Sequence, residues 1–368
     1  MNSSLFLLNL LKKNRDQDII ETFEKMQRRT FMEAKKKITI KDVAKQAGVA
    51  ISTVSNAMNG SKLVTDETRA RILEIADQMG YVPNVNGKLL KTGKSKRFCF
   101  ITSSVKGEYF CKLMDAINLA CIKAGYGLDI VITWDRTEIM RHIMGGQFDG
   151  YFIFEEQHIL EEDLKTIEKE QIPTVMLDRK MQKEYIGSVV FDSRKVGAEI
   201  TELLVKKGHK HFCFVECTSD TYDSEERKNG FLEVLKKNEI PNTNIVFLNG
   251  FFDENVTYAE VISLYSRYQI THEQMPTAFV CGNDSSAIGA MKALQQVGYQ
   301  IPKEISVVGF DNIELGEYFN PTLTTVANPI ENQGTEAVQM MLDIVEKGKK
   351  AQIIVLKGRL IERKSSGE

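Results

Sequence analysis

Apolar and polar positions follow two different patterns along this chain. Between residues 38 and 80, apolar residues recur at helical spacing in three short segments that are separated by Gly48 and Gly60. From Phe98 onward, short apolar runs alternate with amphipathic segments of helical period. The apolar runs that predict strands are FCFIT (98–102), LDIVIT (128–133), GYFIF (150–154), TVML (174–177), SVVF (188–191), HFCFV (211–215), TAFVC (277–281) and ISVVGF (305–310).

The later pattern predicts an α/β core built as two lobes. Near-continuous apolar strands that alternate with helices are typical of parallel sheets covered by helices on both faces. Because a span of roughly 265 residues is long for one open sheet, we expect two lobes with a ligand cleft between them. The expected bounds are about 98–196 and 328–355 for lobe 1 and about 197–327 and 356–368 for lobe 2.

The earlier pattern predicts a helix–turn–helix within residues 38–83. Thr39 is expected to cap the first helix with Asp42 as its partner, and Thr65 to cap the third. The stretch GVAISTVSNAMNG (48–60) carries the second helix, whose polar residues would face phosphates and base edges. The residues expected to pack inward are Val49, Val54, Ala57 and Met58 in this stretch and Ile72, Leu73, Ile75, Ala76 and Met79 in the third helix. An ordinary three-helix bundle with a polar face is the alternative.

Charge is distributed unevenly along the chain. Residues 35–97 hold 13 Lys and Arg against 5 Asp and Glu, a net charge of +8, whereas the whole chain has a formal net charge of −2. The remainder therefore carries a net charge of −10. A basic head on an acidic body favours a polyanionic partner such as double-stranded DNA over a merely solvated basic face.

The remaining composition argues against several classes of protein. The six cysteines include no C-x-x-C pair, which indicates reduced thiols in a cytoplasmic protein. The apolar run LFLLNLL near the start is far shorter than a membrane span, so no membrane partner is expected. The sequence has no G-x-S-x-G, no P-loop and no zinc-ligand spacing, so we expect neither an enzyme nor a cofactor or metal.

Longer motifs resemble the lactose-repressor (LacI/GalR) family of transcriptional regulators. ITIKDVAKQAGVAISTVSNAMNG and VTDETRARILEIADQMGYVPN resemble the N-terminal domain of that family. KKGHKHFCFV, SEERKNGF, FVCGNDSSAIGAMKALQQVGYQIPKEISVVGFDN, NPTLTTVANPI and LIERKS follow in the family's order, so the resemblance covers roughly residues 38–366. It implies an all-α helix–turn–helix DNA-binding domain, a hinge helix within residues 84–97 and a two-lobed α/β core (98–368) like that of periplasmic binding proteins.

The resemblance also implies contacts to DNA, position by position. Ile51, Ser52 and Asn56 match base-reading positions, and the positions that match phosphate contacts are Thr39, Thr53, Ser55 and Asn59. The segment Asn84 to Leu90 matches a hinge helix that folds when two copies meet in the minor groove. Leu90 matches the apolar wedge that opens the central base step.

Three positions of the predicted DNA-binding part depart from the family's pattern. Asn56 stands where many relatives have Arg, and because Asn favours adenine whereas Arg favours guanine, we expect an A·T pair at that operator position. Ala50 replaces the usual Ser and forfeits an N-cap worth on the order of 1 kcal/mol. Gly87 replaces the usual Ala, and because Gly costs a helix up to about 1 kcal/mol, we expect a hinge that folds less readily.

In the core, the resemblance implies a small-molecule effector in the cleft, with contacts from Arg227, Phe252, Asn283, Asp284 and Asp311. These residue types suit a sugar or sugar derivative, because polar groups read hydroxyls and an aromatic ring covers an apolar face. Strand-end turn and helix-cap chemistry is the alternative role for Asn283 and Asp311.

The first lobe departs from the family near the expected cleft. Gly107-Glu108 replaces the usual Asn-Pro turn, and the segment that follows Thr133 is shorter than in relatives. Trp134 lies in that segment and either stacks on an effector or fills the space left by the deletion.

These features predict a repressor that binds a pseudo-palindromic operator as a homodimer and whose DNA affinity an effector switches. No heptad repeat follows LIERKS, so no tetramerising coiled coil is expected. Control by a protein partner or by a non-sugar metabolite stays open. A solute-binding protein with the same core fold is the alternative from a different class, and it would lack the basic head.

Residues 1–37 form an N-terminal extension for which the family offers no counterpart. We expect the native start to be Met32, because family members begin a few residues before the helix–turn–helix. An amphipathic arm is the alternative for this segment.

Overall fold

The chain divides into two compact units, one up to Gly93 and one from Lys94. The structure, a computed structural model, describes residues 38–82, 93–154, 156–217, 221–271 and 274–367. Over these ranges, no helix is both long enough and apolar enough to cross a membrane.

The first unit, called the head below, is a three-helix domain. Its helices are α1 (Ile40–Ala47), α2 (Ile51–Met58) and α3 (Asp66–Gln78). Each helix contributes at least one fully buried side chain to a common core, through Val43, Val54 and Ile72. Gly48 makes the turn between α1 and α2 in the left-handed region, at φ 64°, where a side chain would be strained.

The caps of the head follow the sequence prediction, and one core residue does not. The Thr65 hydroxyl accepts from the Thr68 N–H at 3.4 Å and caps α3. The prediction that Leu73 faces inward is wrong, because its side chain is 43% exposed. Ile72 and Ala76 define the inner face of α3, and Leu73 is rotated by about 100° from Ile72.

The second unit, called the core below, contains twelve strands and nine α-helices in its described residues. The strands are β1 Arg97–Thr102, β2 Gly127–Ile132, β3 Gly150–Phe154, β4 Thr174–Met176, β5 Ile186–Phe191, β6 Phe212–Glu216, β7 Ile245–Asn249, β8 Ala278–Cys281, β9 Ser306–Val308, β10 Thr325–Ala327, β11 Ile353–Leu356 and β12 Arg359–Ile361. The helices are α4 Glu108–Lys123, α5 Arg136–Met144, α6 Glu161–Lys169, α7 Ser193–Lys206, α8 Tyr222–Lys237, α9 Glu254–Thr271, α10 Asp284–Gln296, α11 Leu315–Tyr318 and α12 Ile330–Lys347.

The strands form two parallel sheets, one in each lobe. Lobe 1 holds six strands in the order β11-β5-β4-β3-β1-β2, and lobe 2 holds four in the order β7-β6-β8-β9. Every strand pair in these two sheets is parallel. Strands β10 and β12 form an antiparallel pair of their own. Apolar clusters pack on both faces of each large sheet, as near-continuous apolar strands predict.

The chain passes between the lobes three times, after β5, after β10 and after β11. All eight predicted strand runs coincide with strands. Four strands were not predicted. Of these, β7 and β11 are edge strands of the two large sheets. Strands β10 and β12 have only three residues each and lie next to points where the chain passes between the lobes. A run of three residues is too short for its hydrophobic pattern to indicate a strand.

Helices α7 and α8 of lobe 2 approach each other so closely that each needs a glycine at the contact. A Cβ added to Gly197 would lie 2.5 Å from the carbonyl oxygen of Arg227. A Cβ added to Gly230 would clash with the carbonyl oxygen of Arg194. The two glycines therefore set the backbone position of Arg227.

Replacing Gly197 by Ala should lower the free energy of unfolding of the core by about 1–3 kcal/mol, because a rigid backbone carbonyl has to move. Gly127→Ala is the control, since its Cβ would meet nothing closer than 3.7 Å. We expect this control to change stability by no more than about 0.5 kcal/mol. Urea unfolding followed by circular dichroism measures both, and equal effects would contradict the close helix contact.

Candidate functional site

The head presents a polar face on α2. Val54 and Ala57 of α2 are buried, and the side of the helix opposite them carries Ser52, Ser55 and Asn56. Ile51 is exposed at the start of the helix, and Thr53 lies at the margin of the buried side. Ala50 sits at the N-cap position without a side-chain hydrogen bond. The structure therefore brings the predicted base-reading residues together on one accessible helix face.

Two residues that the resemblance assigned to phosphate contacts also make hydrogen bonds within the head. The amide of Asn59 donates to the carbonyl oxygen of Ser55 at 2.8 Å at the end of α2. The backbone N–H and the hydroxyl of Thr39 both donate to the carboxylate of Asp42, at 2.8 and 2.6 Å. Both residues are exposed, so these bonds orient the side chains without burying them.

The positive charge of residues 35–97 is not carried by the helices of the head. Between Ile38 and Val82 the sequence has 5 Lys and Arg and 5 Asp and Glu, so this part is electrically balanced. Lys96 and Arg97 belong to the core, where they pair with Glu346 and Asp129. The excess charge therefore lies in the segments that flank the head, so the polar face of α2 indicates DNA binding more strongly than the charge does.

The hinge prediction falls on residues that the structure does not describe. Asn84, Gly87 and Leu90 all lie between the described residues 82 and 93.

The core collects its polar residues where strands of both lobes end. Asp178 follows β4 in lobe 1, and Tyr109 is in the first turn of α4, after β1. In lobe 2, Asp311 follows β9, while Asp223 and Arg227 lie on α8 after β6. Because the carboxyl ends of parallel strands meet at one edge of a sheet, these side chains converge at the mouth of the cleft. The pKa of Tyr109 in lobe 1 is affected by the charges of Asp223, Arg227 and Asp311 in lobe 2, which places these groups close together across the lobes.

Arg227 lies at the centre of this cleft cluster, which we define as Tyr109, Asp178, Asp223, Arg227 and Asp311. Its side chain is 4% exposed and donates to the carbonyl oxygen of Gly282. Its Nη2 lies 3.6 Å from Oδ1 of Asp311, and its guanidinium lies 4.7 Å from the centre of the Phe310 ring. Nε of the same guanidinium is buried and has no hydrogen-bond partner among the described residues.

Burial dominates the electrostatics of the cluster. Burial raises the pKa of Asp311 and Asp223, although the positive charge of Arg227 acts in the opposite direction on both. For Arg227, burial lowers the pKa, but the surrounding groups, led by the carboxylates of Asp311 and Asp223, together raise it, and the net shift is upward. A single guanidinium thus compensates several carboxylates in a place that disfavours every charge.

Tyr109 and Asp178 belong to the cluster, although sequence reasoning missed them along with Asp223. The Tyr109 hydroxyl donates to Gln333 at 2.8 Å, and Gln333 in turn donates to two backbone carbonyls of lobe 1. Burial raises the pKa of Tyr109 well above its usual value, and the charges of Asp223 and Asp311 raise it further. The position of Asp178 directly after an apolar strand was the signal that could have revealed it.

Asn283 and Asp284 have supporting positions at the start of α10. Oδ1 of Asn283 accepts from the Ser286 N–H at 2.9 Å and caps the helix, which is the alternative role that the sequence left open. Asp284 is fully buried, and its two oxygens accept from the Thr325 hydroxyl at 2.6 Å and from the Ile313 N–H at 2.9 Å. This corrects the expectation that Asp284 faces the cleft, because its carboxylate holds the loop that carries Asp311.

The two aromatic candidates lie outside the cluster. Phe252 is partly exposed after β7, at φ 57°, and its carbonyl oxygen accepts from the Asn283 amide at 3.4 Å. Trp134 is 71% exposed after β2, so it does not fill a gap in lobe 1. No group of three or more His, Cys, Asp or Glu in the described part of the chain could hold a metal ion.

Comparisons with known proteins match both units. The profile of the bacterial regulatory proteins of the lacI family matches residues 39–84, and that of the periplasmic binding protein-like domain matches residues 201–366. A probable HTH-type transcriptional repressor, ExuR of Bacillus subtilis (strain 168), is 31% identical over 84% of this chain and 92% of its own. The chain belongs to the lacI family of bacterial regulatory proteins. It is therefore a DNA-binding regulator of transcription.

Solved structures of the lacI family have the same fold. The lac repressor dimer bound to operator and the anti-inducer ONPF has a TM-score of 0.78 at 22% identity, over 90% of this chain and 100% of that chain. The complex of the transcriptional regulator CelR with cellobiose has a TM-score of 0.66 at 21% identity, over 89% of this chain and 99% of that chain.

A direct hydrogen bond joins the lobes at Glu108, which the resemblance matched to the proline of an Asn-Pro turn. Glu108, the first residue of α4 in lobe 1, accepts from the backbone N–H of Glu314 in lobe 2 at 2.8 Å. Its other carboxylate oxygen lies 2.6 Å from Nζ of Lys112. A proline has no acceptor side chain, so this bridge depends on the glutamate at position 108.

Glu108→Ala should lower the free energy of unfolding of the core by about 1 kcal/mol, because the Glu314 N–H loses a charged acceptor. Glu314→Ala is the matched control, since it keeps the backbone N–H that donates, and we expect it to change stability by less than about 0.5 kcal/mol. Urea midpoints of the two variants give the comparison. Losses of similar size in both would contradict the bridge.

Proposed function

We propose that this chain is a repressor that binds a pseudo-palindromic operator as a homodimer and that a sugar-type effector in the cleft switches its DNA affinity. The observation that supports the effector part is the buried Arg227, which lies 3.6 Å from Asp311 and whose Nε has no hydrogen-bond partner among the described residues. The observation that carries the DNA part is the polar face of α2.

The DNA step follows from the geometry of the head. Helix α1 would lie across the backbone while α2 enters the major groove, as in other helix–turn–helix proteins. Ser52 and Asn56 would then reach base edges, and the exposed Ile51 would contact a thymine methyl group. Thr53, Ser55, Asn59 and Thr39 would fix the register through phosphates.

Two copies are needed because one α2 reads only half of a pseudo-palindrome. The face of lobe 1 around the edge strand β2 supports such pairing. It exposes a stripe of apolar side chains from α4 and β2, formed by Leu119, Ile122, Ile130 and Ile132. Exposed apolar side chains next to an open sheet edge are typical of a covered surface, and a second copy of this chain is the cover that operator symmetry requires.

The effector step uses the cleft cluster. Carboxylates and a guanidinium held by internal hydrogen bonds can read the hydroxyl groups of a sugar with fixed directions. The cellobiose in the CelR complex, a protein of the same fold, supports a sugar as the class of effector. Binding would draw the lobes together, and operator DNA must then change effector affinity by the same factor as the effector changes operator affinity. Repression is supported by the name of the Bacillus relative, and a cytoplasmic location follows from the proposed role on DNA.

Asn56 generates a prediction about the operator. Selection of bound duplexes from a random pool should enrich an A·T pair at the position that Asn56 reads, because its amide matches adenine N6 and N7. Asn56→Arg should move the preference to G·C at that position alone. Asn59→Ala, at the end of the same helix, should weaken binding to all duplexes without changing the preferred base. A strong guanine preference in the unchanged protein would contradict this assignment.

Arg227 generates a prediction about the effector. A compound that binds the native state raises the melting temperature, so a panel of sugars, nucleobases and amino acids should yield at least one sugar that stabilises the protein. Arg227→Ala should abolish the shift caused by that sugar and should itself cost about 3–5 kcal/mol, because Asp311 and Asp223 lose their compensating charge.

Arg194→Ala provides the control for this measurement. Arg194 is exposed on α7 and pairs with Glu233 at 3.0 Å, so its removal takes the same charge from lobe 2 without touching the cluster. The sugar-induced shift should be unchanged in this variant. A panel without any stabilising compound, with operator DNA still bound, would contradict effector control.

A further inference from the structure

One carboxylate holds the segment through which the chain enters the core. This entry segment is Lys94, Ser95 and Lys96, which directly precede β1. Oδ1 of Asp149 accepts from the Ser95 N–H at 2.6 Å and from the Ser95 hydroxyl at 2.8 Å, and its Oδ2 accepts from the Lys96 N–H at 3.0 Å. Hydrogen bonds to an ionised acceptor are the stronger kind. Asp149 therefore extends the hold of the sheet two residues beyond β1, along the chain toward the head.

Asp149 is itself fixed to the sheet of lobe 1. It directly precedes β3, an inner strand of that sheet and a neighbour of β1. Its backbone N–H donates to the carbonyl oxygen of Arg97, the first residue of β1, at 2.9 Å. At the other end of β3, the ring of Phe154 packs against that of Tyr109, with the ring centres 5.8 Å apart. Because packed interiors move as a body, the position of the Asp149 carboxylate follows the position of lobe 1.

The backbone of the entry segment is strained at Lys96. Its φ is 56°, in the left-handed region, which is unfavourable for a residue with a side chain. Such a conformation persists where the surrounding structure imposes it. Hydrogen bonds on both sides of the residue impose it here, because the Lys96 N–H donates to Asp149 and the Lys96 carbonyl oxygen accepts from the Gly127 N–H at 2.9 Å. The chain therefore reaches β1 through a bend that the core defines.

The other charged groups at this point bind side chains and leave the backbone of the entry segment alone. Nζ of Lys96 lies 2.8 Å from Oε1 of Glu346, and the two side chains are 40% and 39% exposed. The side chain of Arg97 pairs with Asp129. Exposed ion pairs of this kind contribute little and do not fix a chain direction. The direction in which the chain leaves the core therefore depends on Asp149.

We propose that Asp149 is a positioning residue for operator recognition, which fixes where the chain leaves each core and thereby sets the separation of half-sites that a pair of heads accepts. This inference rests on the proposed function, since it needs two heads on one pseudo-palindrome. The second head of a dimer binds in an intramolecular step, whose effective concentration depends on how narrowly its tether is confined. Residues 83–92 join each head to its core, so a fixed exit point removes part of the freedom of that tether.

The experiment measures how the full-length protein discriminates between half-site spacings. Fluorescence anisotropy gives its affinity for a duplex selected from a random pool, for the same duplex with extra base pairs at its centre, and for a single half-site. Asn keeps the size of Asp149 but has one acceptor oxygen fewer, so Asp149→Asn releases a backbone N–H of the entry segment. The ratio of the affinities for the selected and the respaced duplex should fall by about tenfold, while half-site affinity stays unchanged.

The spacing ratio separates positioning from a merely structural role. A variant that only folds less well would lower all three affinities by the same factor, and the ratio would stay constant. A constant ratio in Asp149→Asn would overturn this inference and leave operator binding intact. If the unchanged protein bound the selected duplex no more tightly than the half-site, the proposed dimeric binding of a pseudo-palindrome would itself be contradicted.

Glu346→Gln is the matched control for Asp149→Asn. It removes the same charge beside the entry segment, but Glu346 bonds the side chains of Lys96 and Tyr126 instead of the backbone. The spacing ratio should be unchanged in this variant. An equal fall in both variants would assign the discrimination to charge at this end of the core and would overturn the role of Asp149.

Ser95→Ala keeps the test decisive if Asp149→Asn does not fold. It removes the hydroxyl that donates to Asp149 and keeps both backbone donors. Because one neutral donor of three is lost, the spacing ratio should fall by about threefold. An unchanged ratio in this folded variant would overturn the proposal.

Discussion

Arg227 is a buried cation, and the groups packed around it compensate its charge. A guanidinium that is 4% exposed is unfavourable unless acceptors and opposite charges surround it. Gly282 supplies a carbonyl oxygen, Asp311 and Asp223 supply charge, and Phe310 supplies a ring face. The helix that carries Arg227 is in turn held by the backbone contact at Gly197. Packing, charge and ligand recognition are therefore linked at one side chain.

The loop after β9 transmits this arrangement to the other lobe. Asp284 holds the loop from within lobe 2 through the Ile313 N–H, and Glu108 of lobe 1 accepts from the Glu314 N–H one residue later. Asp311, on the same loop, faces Arg227. A change in the separation of the lobes thus alters the surroundings of Asp311 and Arg227, and a ligand that bridges them favours one separation over another. The core has the contacts that an effector-controlled switch requires.

The sequence predicts the architecture better than the site. Long apolar runs and capped helical segments carry strong periodic signals, so the head, the parallel sheets and the eight apolar strands could be predicted. The predicted polar residues were placed by resemblance, and resemblance does not distinguish a cleft-facing group from a supporting one. Asp284 and Asn283 are adjacent polar residues after a strand, but only the structure shows that their oxygens are used by the Ile313, Thr325 and Ser286 groups.

Residues from distant parts of the chain were missed for a related reason. Asp223 gains its role from convergence across two lobes, which no local pattern encodes, whereas Asp178 at least follows an apolar strand. The summed charge of residues 35–97 overstates the positive charge of the head, because it includes Lys96 and Arg97, which pair within the core. Leu73 shows that hydrophobic periodicity does not locate the buried face of a helix to within one residue, because Ile72 is buried and Leu73 next to it is exposed.

The central claim is that occupation of the cleft and binding of DNA are coupled in one chain. The most direct measurement is the affinity of the stabilising sugar for the full-length protein, determined by calorimetry with and without saturating operator duplex. We expect two different affinities, whose ratio equals the factor by which the same sugar changes operator affinity. Equal sugar affinities in the presence and absence of operator would contradict the account.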